Sequence, residues 1–208
     1  MTTIPTTPPD NLELIGPIVR LQVQTASLKL GEKPHRWFDP APIRPVPALR
    51  LDAGGVTGLD GGDIADVHHR DHPQSKFRGE NGVSIGFTGH YARIRERYGD
   101  HLTDGIAGEN ILGDAGRTIT EDDLDAGIVI VSGDGPLALD AVLVAAPCVE
   151  FSKFCAGYAL DQRPDRVITE TLQFLHQGMR GFYATLATNG ADPAARIAVG
   201  DIVYRRVA

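Results

Sequence analysis

Two apolar runs, Ile128-Val-Ile-Val131 and Leu137-Ala-Leu-Asp-Ala-Val-Leu-Val144, stand on either side of Ser132-Gly-Asp-Gly-Pro136. Such short runs, separated by glycine and proline, predict two antiparallel strands joined by a hairpin turn. The same punctuation recurs along the chain. Ile18-Val-Arg-Leu-Gln-Val23 alternates in period two and predicts a half-buried strand. Pro34 to Pro47 holds five prolines, which restricts it to extended loop or edge strand. Gly181 to Leu186 and Asp201 to Arg205 predict two further strands.

Helical patterning is sparse. Thr88 to Tyr98 places Tyr91, Ile94 and Tyr98 on one face, with Thr88 expected as cap and Gly99 as stop. A second helix is expected from Pro164 to Gln177, with Ile168, Leu172 and Leu175 facing inward. Many short strands with a few helices indicate a mainly β (α+β), barrel-like architecture. Residues 1–15 are expected as a flexible N-terminal tail, because Pro and Thr dominate its start, and residues 16–206 as one domain.

Charge narrows the function classes. A formal net charge of −7 argues against nucleic acid or an anionic membrane as partner. No apolar stretch approaches the roughly 20 residues that cross a bilayer, and the N-terminus lacks a signal-peptide pattern. A soluble cytoplasmic protein is the expectation. Basic residues are skewed, with sixteen Arg against four Lys (Lys29, Lys33, Lys76, Lys153). Genome composition accounts for that, or Arg forks hold a phosphate or carboxylate in a pocket.

The candidate chemistry gathers around three short segments. Pro147-Cys148 follows Ala141-Val-Leu-Val-Ala-Ala146, read as a buried strand, so Cys148 should emerge where a rigid strand meets a loop. A cysteine there is either a small buried hydrophobe or a thiolate serving as nucleophile and soft metal ligand. Cys155 is either a resolving thiol or core filler. In Gly105-Ile-Ala-Gly-Glu-Asn110, Gly108 permits close backbone approach while Glu109 and Asn110 present donors and acceptors together. Arg180-Gly181 puts a guanidinium beside a residue without a side chain, suited to a phosphate or pterin edge, or to a surface salt bridge. Asp122, Asp123 and Asp125 are better explained by a capped helical turn than by acid/base work.

A histidine-bearing loop offers another reading. His68, His69 and His72, with Asp66 and Asp71, carry nitrogen and oxygen ligands for zinc, but their spacing matches no metalloprotease pattern. A polar loop that helps line an organic ligand's pocket is the competing account. No GxSxG elbow, P-loop or dinucleotide fingerprint occurs, which removes the main warrants for serine hydrolase, NTPase and Rossmann readings.

Taken in order, Gly105-Ile-Ala-Gly-Glu-Asn110, Pro147-Cys148, Arg180-Gly-Phe-Tyr-Ala184 and Val199-Gly-Asp201 resemble the MOSC family, named for the C-terminal domain of molybdenum cofactor sulfurases. The resemblance covers residues 16–206. The family's glycine-aspartate-histidine turn corresponds only in its beginning, Gly55-Val-Thr-Gly58 and Asp60, before Gly61-Gly62-Asp63 interrupts it; His68, His69 or His72 would supply the histidine.

The resemblance implies a β-barrel related to the small barrel of pyruvate kinase. It also implies that Cys148 either ligates molybdenum in a bound molybdopterin cofactor or carries sulfur as a persulfide. Arg180, with Arg78 or Arg70, would face the cofactor's phosphate, while Gly108, Glu109, Asn110, Gly181 and His72 would lie along the cofactor. The implied activity is reduction of small N-hydroxylated compounds, with sulfur carriage or cofactor delivery as the alternative. Either needs an external electron or sulfur donor protein, and a homodimer is left open. Family members coupled to pyridoxal phosphate hold it in a separate domain, so none is expected in this chain.

Overall fold

The computed structural model describes residues 11–187 and 195–207. Its strands, in chain order, are β1 (Leu12–Gln24), β2 (Lys29–Leu30), β3 (Trp37–Phe38), β4 (Ile43–Pro45), β5 (Ala48–Asp52), β6 (Gly55–Leu59), β7 (Asp63–Ala65), β8 (Val83–Phe87), β9 (Ile111–Gly113), β10 (Ile128–Ser132), β11 (Gly135–Val144), β12 (Phe182–Leu186), β13 (Ala195–Ala198) and β14 (Ile202–Arg206). The helices are α1 (Thr88–Tyr98), α2 (Glu121–Leu124), α3 (Val149–Cys155) and α4 (Arg166–Phe174).

Seven strands close on themselves in the order β14-β10-β11-β12-β8-β9-β1, with β1 pairing back to β14. Closure follows from the length of β1. Its first half runs antiparallel to β14 and its second half to β9 and then β4, with register shifts between Leu14 and Gly16 and between Ile18 and Arg20. Such irregularities bend a strand enough to turn a sheet into a barrel. Only β8 and β9 pair in parallel among the barrel neighbours, and α1 lies within the connection between them. A second antiparallel sheet, β13-β5-β6-β7, packs beside the barrel, and β2 with β3 forms a small hairpin.

Two apolar clusters hold this arrangement. Ile18, Leu21, Ile85, Phe87, Ile130 and Phe182 belong to the first, which continues into the second sheet through Leu49, Leu51 and Ile197. Tyr91, Ile94, Phe38, Phe151, Leu175 and Met179 form the second, beneath the helices and the β2–β3 hairpin.

The mainly β barrel, the hairpin at 132–136 and the helix at 88–98 match the expectations from sequence. The differences have identifiable causes. Strand β1 starts at Leu12, inside the stretch expected as tail, because Leu12, Glu13 and Leu14 pair with Arg206, Arg205 and Tyr204; residues 1–10 lie outside the described residues. Thr88 does not cap α1. Phe87 occupies that position, and the Thr88 hydroxyl instead bonds Asp114 Oδ1 at 2.7 Å.

Helix α4 is shorter than Pro164 to Gln177. Asp165 caps it by accepting from the Val167 and Ile168 N–H groups, and the chain passes into a π-turn over Leu175–Met179, where Gly178 has φ +83. Ile168 and Leu175 are buried, whereas Leu172 is only half-buried and Thr171 takes the inward place. The run ending at Ala146 is not a fully buried strand either. Ala141 sits at φ +50 in a register shift between Asp140 and Leu143, and Leu143 is 46% exposed.

Candidate functional site

Strand β11 ends at Val144, and the next residues carry Cys148 to the start of α3, where its sulfur accepts the Phe151 N–H at 3.5 Å. The Ala145 N–H donates to the Gly181 carbonyl at 2.9 Å, so the segment leading to Cys148 is tied to the turn carrying Arg180. Both residues line one cavity of about 290 Å³, near the small end of ligand pockets. Its mouth and walls also carry Lys29, Arg36, Lys76, Arg78 and His68, and no carboxylate lines it among the described residues. Phe38 and Phe151 supply its apolar wall, and Gln24, Asn81 and Ser84 its neutral donors and acceptors.

Arg180 is the most buried of these cations, its side chain 15% exposed. Its guanidinium lies over the Phe151 ring, 5.7 Å from the centroid, and Nη1 is 3.7 Å from Glu109 Oε1. That Nη1 is buried on the Glu109 side and has no hydrogen-bond partner. Glu109 does not reach the cavity lining. It is 1% exposed, and its Oε2 accepts the Tyr91 hydroxyl at 2.7 Å. Burial pushes the Glu109 carboxyl up, against the opposing pull of Arg180 and Tyr91, and it pushes the Tyr91 hydroxyl well up as well. Burial works against the Arg180 charge, but Glu109, with smaller contributions from Tyr183, Tyr91 and Cys148, outweighs it, and the guanidinium pKa lies above its ordinary value.

Asn110 and Asp66 make a second buried network beside the cavity. Asn110 Oδ1 accepts from the Ser84 N–H and hydroxyl at 3.1 and 2.8 Å, and Asn110 Nδ2 donates to Asp66 Oδ2 at 2.9 Å. Asp66, fully buried, also accepts from the Gln24 and His68 N–H groups at 2.7 and 2.8 Å. Its Oδ1 lies 3.0 Å from His68 Nδ1. An ionised carboxylate can only accept, so Nδ1 is the ring nitrogen that donates to Asp66, and Nε2 stands apart from that contact.

The expected residues therefore divide. Cys148, Arg180, Arg78 and His68 are brought together around the cavity. Glu109 and Asn110 stand behind its wall as supports. Gly108 (φ +90) and Gly181 (φ +90) serve packing: a Cβ would come within 2.7 Å of the Gln24 amide at the first and 2.6 Å of the Ile85 carbonyl at the second. Arg70 and His72 are not among the lining residues. Arg70 lies over the Phe77 ring at 5.2 Å, and His72 Nδ1 accepts the Gln74 N–H at 3.0 Å.

The histidines do not converge as zinc ligands. His69 is buried with Nε2 3.3 Å from Asp52, and among the described residues no group of three or more His, Cys, Asp or Glu side chains is arranged to hold a metal ion. Asp123 bridges Arg117 and Arg205, and the Thr120 capping box completes the turn, as expected of a structural acid cluster.

Sequence reasoning missed Lys29, Arg36 and Lys76. The signal was present in the rarity of lysine, since two of the chain's four lysines line this one cavity. Cys155, 1% exposed, packs in the second apolar cluster, and burial pushes its thiol up to about 12. At neutral pH it stays protonated core filler. Five cations, a half-buried thiol and an apolar wall fit a phosphorylated, ring-bearing ligand with a soft centre.

Among solved structures, the chain is similar to the YuaD protein from Bacillus subtilis, with a TM-score of 0.52 and 15% identity over 93% of this chain and 94% of that one. It is similar to a hypothetical protein, also at 0.52, with 10% identity over 93% of this chain and 68% of that one. YiiM from Geobacillus stearothermophilus follows more loosely, with a TM-score of 0.41 and 19% identity over 90% and 73% of the two chains. At such identities the first two likenesses speak for the fold alone. No family model and no curated protein matches the chain.

Proposed function

We infer that this chain is a MOSC-type protein that binds molybdopterin in the Cys148 cavity and reduces small N-hydroxylated compounds. The observation that carries this reading is the placement of Cys148 in a cavity with five cationic side chains and no carboxylate among its described lining. The cations would hold the cofactor's phosphate, with Arg180 the most buried of them. Cys148 would ligate molybdenum, a role suited to thiolate. Once bound, the cofactor would supply oxidation and reduction at the metal, with electrons drawn from an external donor protein.

The chain's own residues do the rest. Phe38 and Phe151 exclude water from the apolar wall, which strengthens the charge contacts beside it. Converting an N-hydroxyl group to the parent amine releases water and consumes protons. His68, its Nδ1–H held by Asp66, can carry a proton on Nε2 to the departing hydroxyl. Glu109 supplies a buried counter-charge to Arg180 and would not itself touch the ligand.

The test is molybdenum and pterin content of protein made in a cofactor-competent host. Wild type should retain both, and Cys148→Ser should lose the metal. Molybdenum at wild-type level in Cys148→Ser would overturn the ligand assignment. A reductant-sensitive added sulfur on Cys148, in protein without metal, would instead establish the sulfur-carrier reading.

A further inference from the structure

A second cavity, of about 350 Å³, lies next to the first and shares Lys29 and Arg36 with it. Lys33 and Lys153 complete its cationic lining, and Pro34, Val149 and Pro164 its apolar surface. All four lysines of a chain with sixteen arginines thus line one or both cavities. Glu150 is the carboxylate of the second cavity, and it pairs with Arg36 at 3.4 Å. Four cations against one carboxylate leave a local surplus of positive charge on a chain whose net charge is −7.

Lys153 is the decisive group. It is 8% exposed, and its ammonium donates to the Leu160 carbonyl at 3.2 Å. Among the described residues no carboxylate pairs with it. An ammonium has three donors, and burying its charge is costly unless an opposite charge meets it. A neutral carbonyl answers one donor and none of the charge.

We propose that this second cavity is a phosphate-binding site, distinct from the site around Cys148 and Arg180. Lysine suits it, being a compact point charge that meets a phosphoryl group from any direction. Because Lys29 and Arg36 face both cavities, the phosphoryl group belongs either to the far end of a ligand extending from the first cavity or to a separate molecule. The two sources share this chemistry. The site does not depend on the first cavity holding molybdopterin.

The test is calorimetric titration of the full chain with inorganic phosphate. Wild type should bind two phosphates. Lys33→Glu, at an exposed position, should weaken one of them by about tenfold and leave the other unchanged; Arg78→Glu should do the converse. Lys153→Met should remove the same phosphate that Lys33→Glu weakens, and where that buried change prevents folding, Lys33→Glu decides alone. Binding of no phosphate by wild type, or affinities all unchanged in Lys33→Glu, would overturn the proposal.

Protein from a cofactor-competent host separates the sources. One phosphate still taken up means a separate molecule fills the second cavity, and none means the bound ligand reaches both. Uptake of two would dismiss the cofactor reading of the first cavity while leaving the second site standing.

Discussion

Glu109 Oε1 stands 3.7 Å from Arg180 Nη1 behind the wall of the Cys148 cavity, with Tyr91 holding the other carboxylate oxygen at 2.7 Å. Both charges are withdrawn from water, so each is tolerated because of the other. Removing Glu109 strands a buried guanidinium. Glu109→Ala is expected to cost about 3 to 5 kcal/mol in urea unfolding. Adding Arg180→Met should recover part of that loss, since no buried charge is then left unpaired. Strict additivity of the two changes would contradict the pairing.

Asn110 is expected to matter through stability rather than through ligand contact. Its amide satisfies the Ser84 N–H and hydroxyl on one side and Asp66 on the other. Asn110→Leu should cost about 2 to 3 kcal/mol, because several buried polar groups lose a partner at once. Chemical denaturation checks the loss. Unchanged stability accompanied by weakened phosphate binding would place Asn110 in the cavity instead.

Asp66 and His68 make a claim about a proton. Wild-type His68 should hold its proton on Nδ1 at neutral pH, seen by nitrogen-edited NMR as the Nδ1–H tautomer. Asp66→Asn removes the anionic acceptor and should shift the population toward Nε2–H. A wild-type spectrum dominated by the Nε2–H form would sink the assignment of Nδ1 as the donor to Asp66.

His90 predicts the acid limb of stability. It is 1% exposed, packed edge-on against Phe87, with Nε2 2.8 Å from the Ile119 carbonyl. Burial lowers its pKa from 6.5 to about 4. The unfolded chain therefore takes up a proton near 6.5 that the folded chain refuses until about 4. Stability from this group is full above 6.5 and drains away as pH falls through that window, by about 3 kcal/mol in all. His90→Phe should flatten this part of a urea-unfolding series between neutral pH and pH 4. An equally steep fall in that variant would assign the acid sensitivity elsewhere.

What could be read from sequence tracks how local the physics is. Period-two alternation in Ile18 to Val23 and the glycine-proline turn at 132–136 depend on neighbours in the chain, and both strand assignments match the structure. Thr88 looked like a cap because its local sequence allows it, yet a partner 26 residues away, Asp114, takes its hydroxyl. The cavity is less local still. Cys148, Arg180 and Arg78 could be singled out as reactive or fork-bearing residues. Lys29, Arg36 and Lys76 join them only through the packing of the β2–β3 hairpin against α3 and of the histidine loop against the end of β1. Glu109 carried the right chemistry in the wrong layer, because sequence does not say on which side of a wall a turn places its acid.

The two cysteines give the sharpest contrast between position and reactivity. Cys148 is half-buried at the cavity, and Cys155, seven residues on, is 1% exposed among Phe151, Leu175 and Met179. Only a thiolate attacks an alkylating reagent at a useful rate, and burial pushes the Cys155 thiol up to about 12. Iodoacetamide at neutral pH should therefore modify Cys148 alone in the native chain, and both residues after unfolding in urea. Peptide mass spectrometry resolves the two sites. Phosphate filling the cavity should slow the Cys148 reaction, because the anion sits among the cations that line the approach to the sulfur. Modification of Cys155 before Cys148 would mean that the α3 segment opens more readily than its packing against Phe38 allows, and would remove the reason for treating Cys148 as the working thiol.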